Sequence, residues 1–367
     1  MNDVLSLSVF TPEQYIRAIR LSQNVFSEKT TIDVSNYQGI FAKTEETLSD
    51  IKLGVTSLYN SLAGSFAAAQ LSHYSLNIIS DPFWMCPKIT ISAKYFSSPK
   101  EINDLICVSA EIAELLVRKA KNPNDTFEKL CLFDKWVSRN FVYRNTCQMS
   151  DHTAIELLKK QSGVCQAIAA VAVLVLSYMG IKVLYVTGEG KGQDGWGPHA
   201  WNAVKINGRW IHVDFTFSMN SVSLPCTKSV FEEIAFNKTH RWNKKEFGEH
   251  SMDSKWKSIN WYAGKRTVAE IDSKSCLISG VKIQFDKVLS LRSNGKGIVD
   301  FASIIRLFGG GMEINLKTGD VNICVCNKRH VIEDGVRYMN DGYFETSILN
   351  RRWDYEWCEG NKLRIAI

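Results

Sequence analysis

The sequence lacks the features that mark several special classes of protein. None of its apolar runs approaches the roughly 18 residues that a helix needs to cross a bilayer. Its formal net charge of +6 comes without the long basic run that is typical of nucleic-acid-binding proteins. Its 10 cysteines have no regular spacing, which is not the pattern of a disulfide framework. We therefore expect no membrane span, no nucleic-acid partner and no disulfide scaffold.

A secretory signal is also missing from the first residues. Residues 1–6 have no basic segment followed by an apolar core, and irregularly spaced cysteines fit a reducing compartment. We expect a cytoplasmic protein, or alternatively a secreted or cell-surface protein if a signal peptide has been removed from the chain.

The composition that remains is ordinary for a soluble globular protein, with 45% hydrophobic and 22% charged residues. A chain of 367 residues predicts two or three domains. We place an N-terminal region of helices and strands at residues 1–100. A central domain follows at residues 101–265, and a C-terminal accessory module covers residues 276–367.

Local signals predict several elements of the N-terminal region. Thr11 followed by Pro12 is a typical helix start. Further helices are expected over residues 44–63 and 99–121, and the alternation over residues 88–96 predicts a strand.

A β-hairpin is predicted near residue 207. Asn207-Gly208 is the strongest short-range signal for a two-residue hairpin turn. Such a turn pairs Ile206 with Arg209, which fixes the register of the two strands.

This register places polar side chains together on one face of the hairpin. His199 and Asp214 become diagonal neighbours, roughly 7–8 Å apart at the backbone and within side-chain reach. Trp201, His212 and Thr216 share their face. The opposite face is an apolar core face formed by Ala200, Val204, Ile211, Val213, Phe215 and Phe217.

Cys165 precedes a strongly apolar stretch, residues 167–179, which predicts a buried helix. Gly163 permits a tight turn before it. Free backbone N–H groups and the helix dipole favour a thiolate at such a position, and they can also stabilise an oxyanion. If this helix docks against the hairpin, a thiol, an imidazole and a carboxylate come together.

Three segments, residues 163–166, 199–202 and 210–214, resemble the signature segments of the transglutaminase-like cysteine enzymes in order, local context and spacing. Residues 127–140, Tyr143 and residues 154–158 resemble the helices that precede the nucleophile in bacterial members, and residues 236–242 resemble their closing segment. One departure is Ala167-Ile168, where many bacterial members have glycine and tyrosine.

The resemblance implies an α+β fold with a papain/transglutaminase-like core, in which the nucleophile lies at a helix N-terminus packed on an antiparallel sheet. It assigns Cys165 as nucleophile, His199 as base and Asp214 as the group that orients the base. A helical N-terminal region and a small C-terminal α+β module would flank this core.

Other side chains near the predicted site have two interpretations each. Gln166 and Tyr143 are candidates for oxyanion donors, with structural packing as the alternative. Trp201 and Trp196 either wall the cleft or pack in a core. His212 is a second candidate for the base, disfavoured because it lies on the same strand as Asp214. The glycine-rich residues 188–198 are predicted to form a mobile lip or lid over the cleft.

The C-terminal region carries an internal repeat. Residues 300–314 read as a short helix, a glycine stop and a strand, and residues 343–357 repeat this plan. The pattern resembles the repeat named for the copper amine oxidase N-terminal domain, which implies a module that binds another protein or a cell-surface component. Cys324, Cys326 and His330 are too few for a zinc site, and we expect no metal and no cofactor.

These features predict a cysteine protease, amidase or acyltransferase that acts on a protein or peptide substrate through a thioester. The sequence does not choose between water and an amine as acyl acceptor. The alternative is a non-catalytic protein-binding or scaffolding module on the same fold.

Overall fold

The computed structural model describes residues 4–9, 11–34, 64–79, 88–192, 194–219, 233–260, 267–285, 288–291, 297–340, 343–351, 353–358 and 362–367. The helix that the sequence predicts over residues 44–63 lies outside these residues.

The elements of the N-terminal region agree with their sequence signals where they are described. Thr11 caps the first helix by accepting a hydrogen bond from the Gln14 backbone N–H at 3.3 Å, and Pro12 occupies its first turn. The elements are β1 (Val4–Ser8), α1 (Pro12–Asn24), β2 (Lys29–Asp33), α2 (Phe66–Gln70), β3 (Leu71–Ile79) and β4 (Lys88–Tyr95).

The central region begins with a helix that a capping box starts at Ser98 and Glu101. Asp125 caps the helix after it by accepting from two backbone N–H groups. The elements are α3 (Pro99–Lys119), α4 (Thr126–Asn140), β5 (Val142–Tyr143), a 3₁₀ turn (Met149–His152), α5 (Ala154–Lys160), β6 (Ser162–Gly163), α6 (Cys165–Tyr178), β7 (Val183–Gly192), β8 (Gly195–Ile206), β9 (Arg209–Val213), α7 (Phe215–Met219), α8 (Glu233–Thr239), β10 (His240–Arg241), α9 (Lys244–Phe247) and α10 (Glu249–Ile259).

The C-terminal region consists mainly of short strands. Its elements are β11 (Val268–Ile271), β12 (Ser275–Ile278), β13 (Val281–Gln284), β14 (Leu289–Leu291), β15 (Gly297–Val299), α11 (Phe301–Leu307), β16 (Gly311–Asn315), β17 (Asp320–Val325), β18 (Lys328–Ile332), a 3₁₀ turn (Gly335–Tyr338), β19 (Met339–Asn340), β20 (Tyr343–Glu345), a 3₁₀ helix (Thr346–Arg351), β21 (Asp354–Cys358) and β22 (Lys362–Ala366).

The predicted C-terminal repeat appears as two strand–helix–strand units. The first consists of β15, α11 and β16, and the second of β20, the 3₁₀ helix and β21. The second helix is therefore 3₁₀ rather than α. The likeness to the copper amine oxidase repeat stays a prediction.

A nine-stranded sheet joins the two outer regions of the chain. Its strand order is β21-β22-β11-β12-β13-β1-β2-β4-β3, with β1 antiparallel to β13 and parallel to β2. One apolar core therefore contains residues from both regions, such as Leu7 and Ile283. The boundaries at residues 100, 265 and 276 stay predictions, but the outer regions share a sheet and a core.

The central region contains the four-stranded sheet β10-β7-β8-β9 and packs α6 against one face of it. Helix α6 is buried along nearly its whole length, because apolar side chains surround its axis. The other face of the sheet is also covered, by an apolar cluster that includes Trp201, Phe236 and Phe247. The mixed helices and sheets form an α+β protein.

The part of the chain that the structure describes contains no helix with the length and apolar character needed to cross a membrane.

Candidate active site

Cys165 is the first residue of α6, and its backbone is fixed from the preceding turn. Val164 donates its backbone N–H to the carbonyl oxygen of Asp151 at 3.0 Å. A Cβ atom at Gly163 would lie 2.9 Å from the same oxygen, so this close approach requires glycine. The thiol is 7% exposed and points to where the sheet carries its polar side chains.

The hairpin has the predicted register, but its second strand ends early. Asn202 pairs with Val213 and Ile206 with Arg209, as the Asn207-Gly208 turn predicts. Beyond Val213 the chain turns into α7 instead of continuing as a strand. The register set by the turn would place His199 opposite Thr216, but Thr216 lies in α7, so that predicted pairing is wrong.

Asp214 lies at this turn, between β9 and α7, and its early exit from the sheet gives it a second role. One carboxylate oxygen, Oδ1, accepts from the backbone N–H groups of Thr216 at 2.8 Å and Phe217 at 3.2 Å, which caps α7. The other oxygen, Oδ2, lies 2.7 Å from His199 Nε2.

His199 is the contact between the carboxylate and the thiol. Its Nε2 faces Asp214, and its ring also makes a hydrogen bond with Cys165. The structure thus brings Cys165, His199 and Asp214 into one hydrogen-bonded series, the three residues that the sequence places on separate elements.

A second histidine, His240 on β10, also reaches Asp214. Its Nε2 lies 2.9 Å from Asp214 Oδ2, the oxygen that faces His199, and the residue is 2% exposed. Sequence reasoning missed this contact, because no spacing rule links residue 240 to the hairpin. The one available signal was the resemblance of residues 236–242 to a closing segment.

The charges of the site favour an ionised pair. Burial lowers the pKa of His199, but hydrogen bonds with Asp214 and Cys165 raise it overall to about 10. Burial raises the pKa of Asp214, but hydrogen bonds from His199 and His240 lower it overall to about 2. At neutral pH the Asp214 carboxylate is ionised and His199 carries a proton, so these two side chains form an ion pair.

The face predicted to be polar is in fact a second core. Trp201 is 1% exposed and stacks on His199, with ring centroids 5.9 Å apart, so it packs in this core and does not line an open cleft. Trp201 Nε1 donates to His212 Nδ1 at 2.9 Å. Burial lowers the pKa of His212 to about 4, which keeps the ring neutral as an acceptor.

Within the glycine-rich stretch, residues 188–192 and 195–198 are the paired ends of β7 and β8, so these residues belong to a hairpin and not to the predicted lid. Trp196 is half-buried on this hairpin, with the Arg241 guanidinium 3.9 Å from its ring centroid. The contact between Trp196 and Arg241 is a cation–π interaction that links β8 to β10.

The two oxyanion candidates lie close to the thiol. Tyr143 pairs with Gly163 in the short β5–β6 ladder, and burial followed by the negative charges of Cys165 and Asp214 raises its pKa. Gln166 follows Cys165 on α6 and hydrogen bonds with His152 Nδ1 and with the Tyr185 hydroxyl. The Gln166 amide is therefore held from two sides.

His199, Asp214 and His240 also offer three potential metal-ligand atoms within 4.8 Å of one another. Both histidines direct Nε2 at a single carboxylate oxygen, however. This is the arrangement of two N–H donors around one acceptor. Hydrogen bonds between the two histidines and Asp214 therefore account for the contacts described at these three atoms.

Comparison with known proteins gives a family for the region that holds this site. Residues 111–215 match the family model of the transglutaminase-like superfamily. The match includes Cys165, His199 and Asp214 and ends before His240. None of the curated proteins matches the chain.

Three solved structures are similar to parts of the chain. A proposed cysteine protease from Cytophaga hutchinsonii is 18% identical, with a TM-score of 0.26, over 40% of this chain and 65% of that one. A TGase is 12% identical, with a TM-score of 0.28, over 60% and 56%. A proposed protease from Parabacteroides distasonis is 11% identical, with a TM-score of 0.23, over 51% and 43%.

This chain spans less than two thirds of each of these three proteins. With TM-scores this low, the assignment depends on the family model and on its agreement with the three segments that hold the site residues. Residues 111–215, the stretch that holds Cys165, His199 and Asp214, therefore form a domain of the transglutaminase-like superfamily.

Proposed function

We propose that this protein is a cysteine-dependent acyl-transfer enzyme that acts on a peptide or carboxamide bond. The observation that carries the proposal is the hydrogen-bonded series of Cys165, His199 and Asp214, with the thiol at the N-terminus of a buried helix. A thiol, a base and an orienting carboxylate in this order have the geometry needed for nucleophilic catalysis.

The first half of the reaction forms a thioester. The Cys165 thiolate attacks the carbonyl carbon, and the electron pair of the C=O bond moves to oxygen. When the tetrahedral intermediate collapses, the C–N bond breaks and the leaving nitrogen takes the proton of the His199 imidazolium. Asp214 holds the ring throughout by accepting from Nε2.

The second half releases the acyl group. Water or an amine attacks the thioester carbon, and neutral His199 accepts the proton of the incoming nucleophile. The C–S bond then breaks and restores the thiolate–imidazolium pair. Water gives a peptidase or amidase, and a lysine amine gives cross-linking.

Charge on the carbonyl oxygen requires hydrogen-bond donors near Cys165. The first backbone N–H groups of α6 have no partner within the helix, and they carry the positive end of its dipole. Gln166 and Tyr143 are the side chains that we assign as additional donors, because both lie beside the thiol.

The competing proposal is a binding module without chemistry. One observation favours it: Cys165 is only 7% exposed, so a substrate carbonyl needs local opening to reach it. The reactivity of the thiol separates the two proposals, because a catalytic thiolate reacts faster than an ordinary thiol at neutral pH.

The test is alkylation with iodoacetamide followed by peptide mapping. We expect Cys165 to be labelled faster near pH 7 than Cys147, which is exposed and serves as an internal reference. Incubation with a peptide library should then trap an acyl adduct on Cys165 that is missing from a Cys165→Ala variant. Slower labelling of Cys165 than of Cys147, together with no adduct, would favour the binding module.

A further inference from the structure

We infer that His240 is a positioning residue of this site: it donates its Nε2 proton to Asp214 and so holds the carboxylate that orients His199. The inference rests on the proposed function. It concerns a residue that lies outside the stretch matched to the superfamily.

The first argument is the number of donors around Asp214. The side chain is 1% exposed and depends on the protein for its hydrogen bonds. The described residues supply four donors to it, two backbone N–H groups on Oδ1 and the two imidazoles on Oδ2. His240 therefore supplies one of the two bonds to the oxygen that orients His199.

The second argument is that Thr239 fixes the proton positions on His240. The Thr239 hydroxyl lies 2.9 Å from His240 Nδ1 and 3.3 Å from the carbonyl oxygen of Phe236. When the hydroxyl donates to Nδ1, the ring is neutral and its proton must be on Nε2, towards Asp214. When Nδ1 is protonated, it donates to the hydroxyl, which donates in turn to Phe236. Nε2 faces Asp214 as a donor in both states.

The third argument is the rigid setting of the ring. His240 stacks on Phe236 with centroids 3.8 Å apart and meets the Trp201 ring edge-on at 5.0 Å. Its backbone pairs with Gly190 of β7. Two aromatic contacts and the strand pairing of its backbone hold the His240 ring in one orientation. A residue that positions another side chain needs such a fixed orientation.

In the part of the chain that the structure describes, the titratable groups around His240 come from the hairpin, β7 and its own strand. Asp214 and His199 face it directly from the hairpin, and His212 on β9 interacts with it through space. From β7, Glu189 pairs with Arg241, and both of these side chains are largely exposed.

The experiment compares three variants of the whole protein. His240→Phe keeps a planar ring for stacking but removes the donor. His240→Gln keeps an N–H donor without a titrating ring. His212→Gln is the matched control, because it changes a buried histidine of the same cluster that makes no bond to Asp214 and still leaves an acceptor for Trp201.

The measurement is kcat/KM against pH, with the rate of Cys165 alkylation against pH as a readout that needs no substrate. His240→Phe should lower kcat/KM by about 10- to 100-fold. It should also move the acid limb of both profiles to higher pH, because Asp214 loses a donor to its ionised form. His240→Gln should recover most of the rate, and His212→Gln should leave the acid limb in place.

The inference is overturned if His240→Phe folds and its acid limb stays at the wild-type pH. It is also overturned if His240→Gln loses as much rate as His240→Phe, or, where His240→Phe does not fold, if a folded His240→Gln falls more than about tenfold. Failure of the proposed function looks different: wild-type protein would turn over no amide, while the alkylation profile still tests the role of His240.

Discussion

At the scale of single residues, Asp214 is the group on which the site depends most. Its two oxygens accept bonds from two histidines and from the first N–H groups of α7. The sequence assigns it to a polar sheet face, where replacement would leave folding intact. In the structure it is fully buried, so the same residue orients His199 and stabilises the fold.

Replacing Asp214 with Asn should therefore affect both activity and stability. We expect a loss of turnover on the order of 10² or more, because the amide can present a donor where the His199 ring needs an acceptor. We also expect the free energy of unfolding to fall by about 3 kcal/mol, since a buried charge with matched donors is disrupted. Kinetics and denaturant titration measure the two effects, and the His212→Gln protein is the control for both. An unchanged unfolding midpoint would contradict the second expectation.

Asp214 also predicts how stability changes in acid. The pKa of its carboxyl is about 2 in the folded protein, below the ordinary value of 3.8. A depressed pKa stabilises the fold above the ordinary value, and this stabilisation is lost as the pH falls through the folded value. Wild-type protein should lose stability from about pH 4 to pH 2 more steeply than Asp214→Asn, which denaturant titrations at several pH values measure.

His199 predicts the alkaline limit of activity. Its pKa is raised to about 10, so the ring keeps the proton that the leaving nitrogen needs until the pH approaches that value. We expect kcat to fall above about pH 10 through a single ionisation. The Asp214→Asn variant should lose activity at lower pH, because the ring has lost the hydrogen bond and the negative charge that raise its pKa. An alkaline limb near the ordinary histidine value of 6.5 in wild-type protein would contradict this.

Much of the triad could be read from the sequence, because local rules determine it. The Asn207-Gly208 turn fixes the register that brings His199 near Asp214, and the apolar run after Cys165 fixes a helix with the thiol at its start. His240 could not be found in this way. Its contact depends on tertiary packing of α8 and β10 against β7, which no turn or periodicity specifies.

At the scale of elements, a glycine of β7 provides the space that the His199 ring occupies beside the sheet. Gly190 pairs with His240 on one side and with Gly197 on the other. A Cβ atom at Gly190 would lie 2.8 Å from Cγ of the His199 ring, closer than side-chain atoms approach one another. Gly190, one of the glycines that suggest a mobile lid, is thus needed to make room for the His199 imidazole.

Gly190→Ala should displace His199 and lower kcat by on the order of 10², since small misplacement of catalytic groups is costly. Gly197→Ala is the matched control: it lies opposite on β8, and a Cβ atom there would meet nothing within 4 Å. Steady-state kinetics and thermal melts of both proteins test the explanation. Equal activity of the two variants would contradict the explanation, because it would mean that a Cβ atom at residue 190 does not displace His199.

The end of β9 is the element that sequence reasoning placed wrongly. Residues 209–217 alternate like a strand, but Asp214 caps the next backbone N–H groups and starts α7. Local hydrogen bonds that the Asp214 side chain accepts from the backbone replace strand pairing here, and hydrophobic alternation alone does not reveal them.

At the scale of the whole molecule, the central region is attached to the C-terminal strands through specific contacts. The Asn103 side chain on α3 accepts from the Met312 backbone N–H at 2.8 Å and donates to its carbonyl at 3.0 Å, as a neighbouring strand would. Arg329 on β18 donates to Glu111 and Glu114 of the same helix. These bonds fix α3 against the three-stranded sheet β16-β17-β18.

Asn103→Ala should reduce the free energy of unfolding by about 1–3 kcal/mol, because it removes both partners of Met312. The triad lies elsewhere, so kcat should be unchanged. Lys100→Ala, an exposed change one turn earlier on α3, is the control for helix propensity. Denaturant titration and kinetics decide: a loss of kcat without a loss of stability would contradict the structural assignment.

The shared nine-stranded sheet changes the outcome expected for truncation. The sequence suggests that residues 276–367 can be removed while small-substrate turnover survives. Removal would expose the edge of β1 and open the core that contains Leu7 and Ile283. We expect the shortened protein to be aggregated or to unfold without cooperativity in gel filtration and thermal melts. A soluble, cooperative and active monomer would restore the idea of a separable module.

The pairing of β1 with β13 also has a consequence for folding during translation. Residues 4–8 emerge from the ribosome long before residues 281–284, which form the other neighbour of that strand. Translation at about 5–20 residues per second imposes a delay of roughly 15–55 s. During this time the apolar strand has β2 on one side and an open edge on the other. Nascent chains should therefore depend on chaperones until just over three quarters of the sequence has been synthesised, and slow codons before residue 281 should increase aggregation.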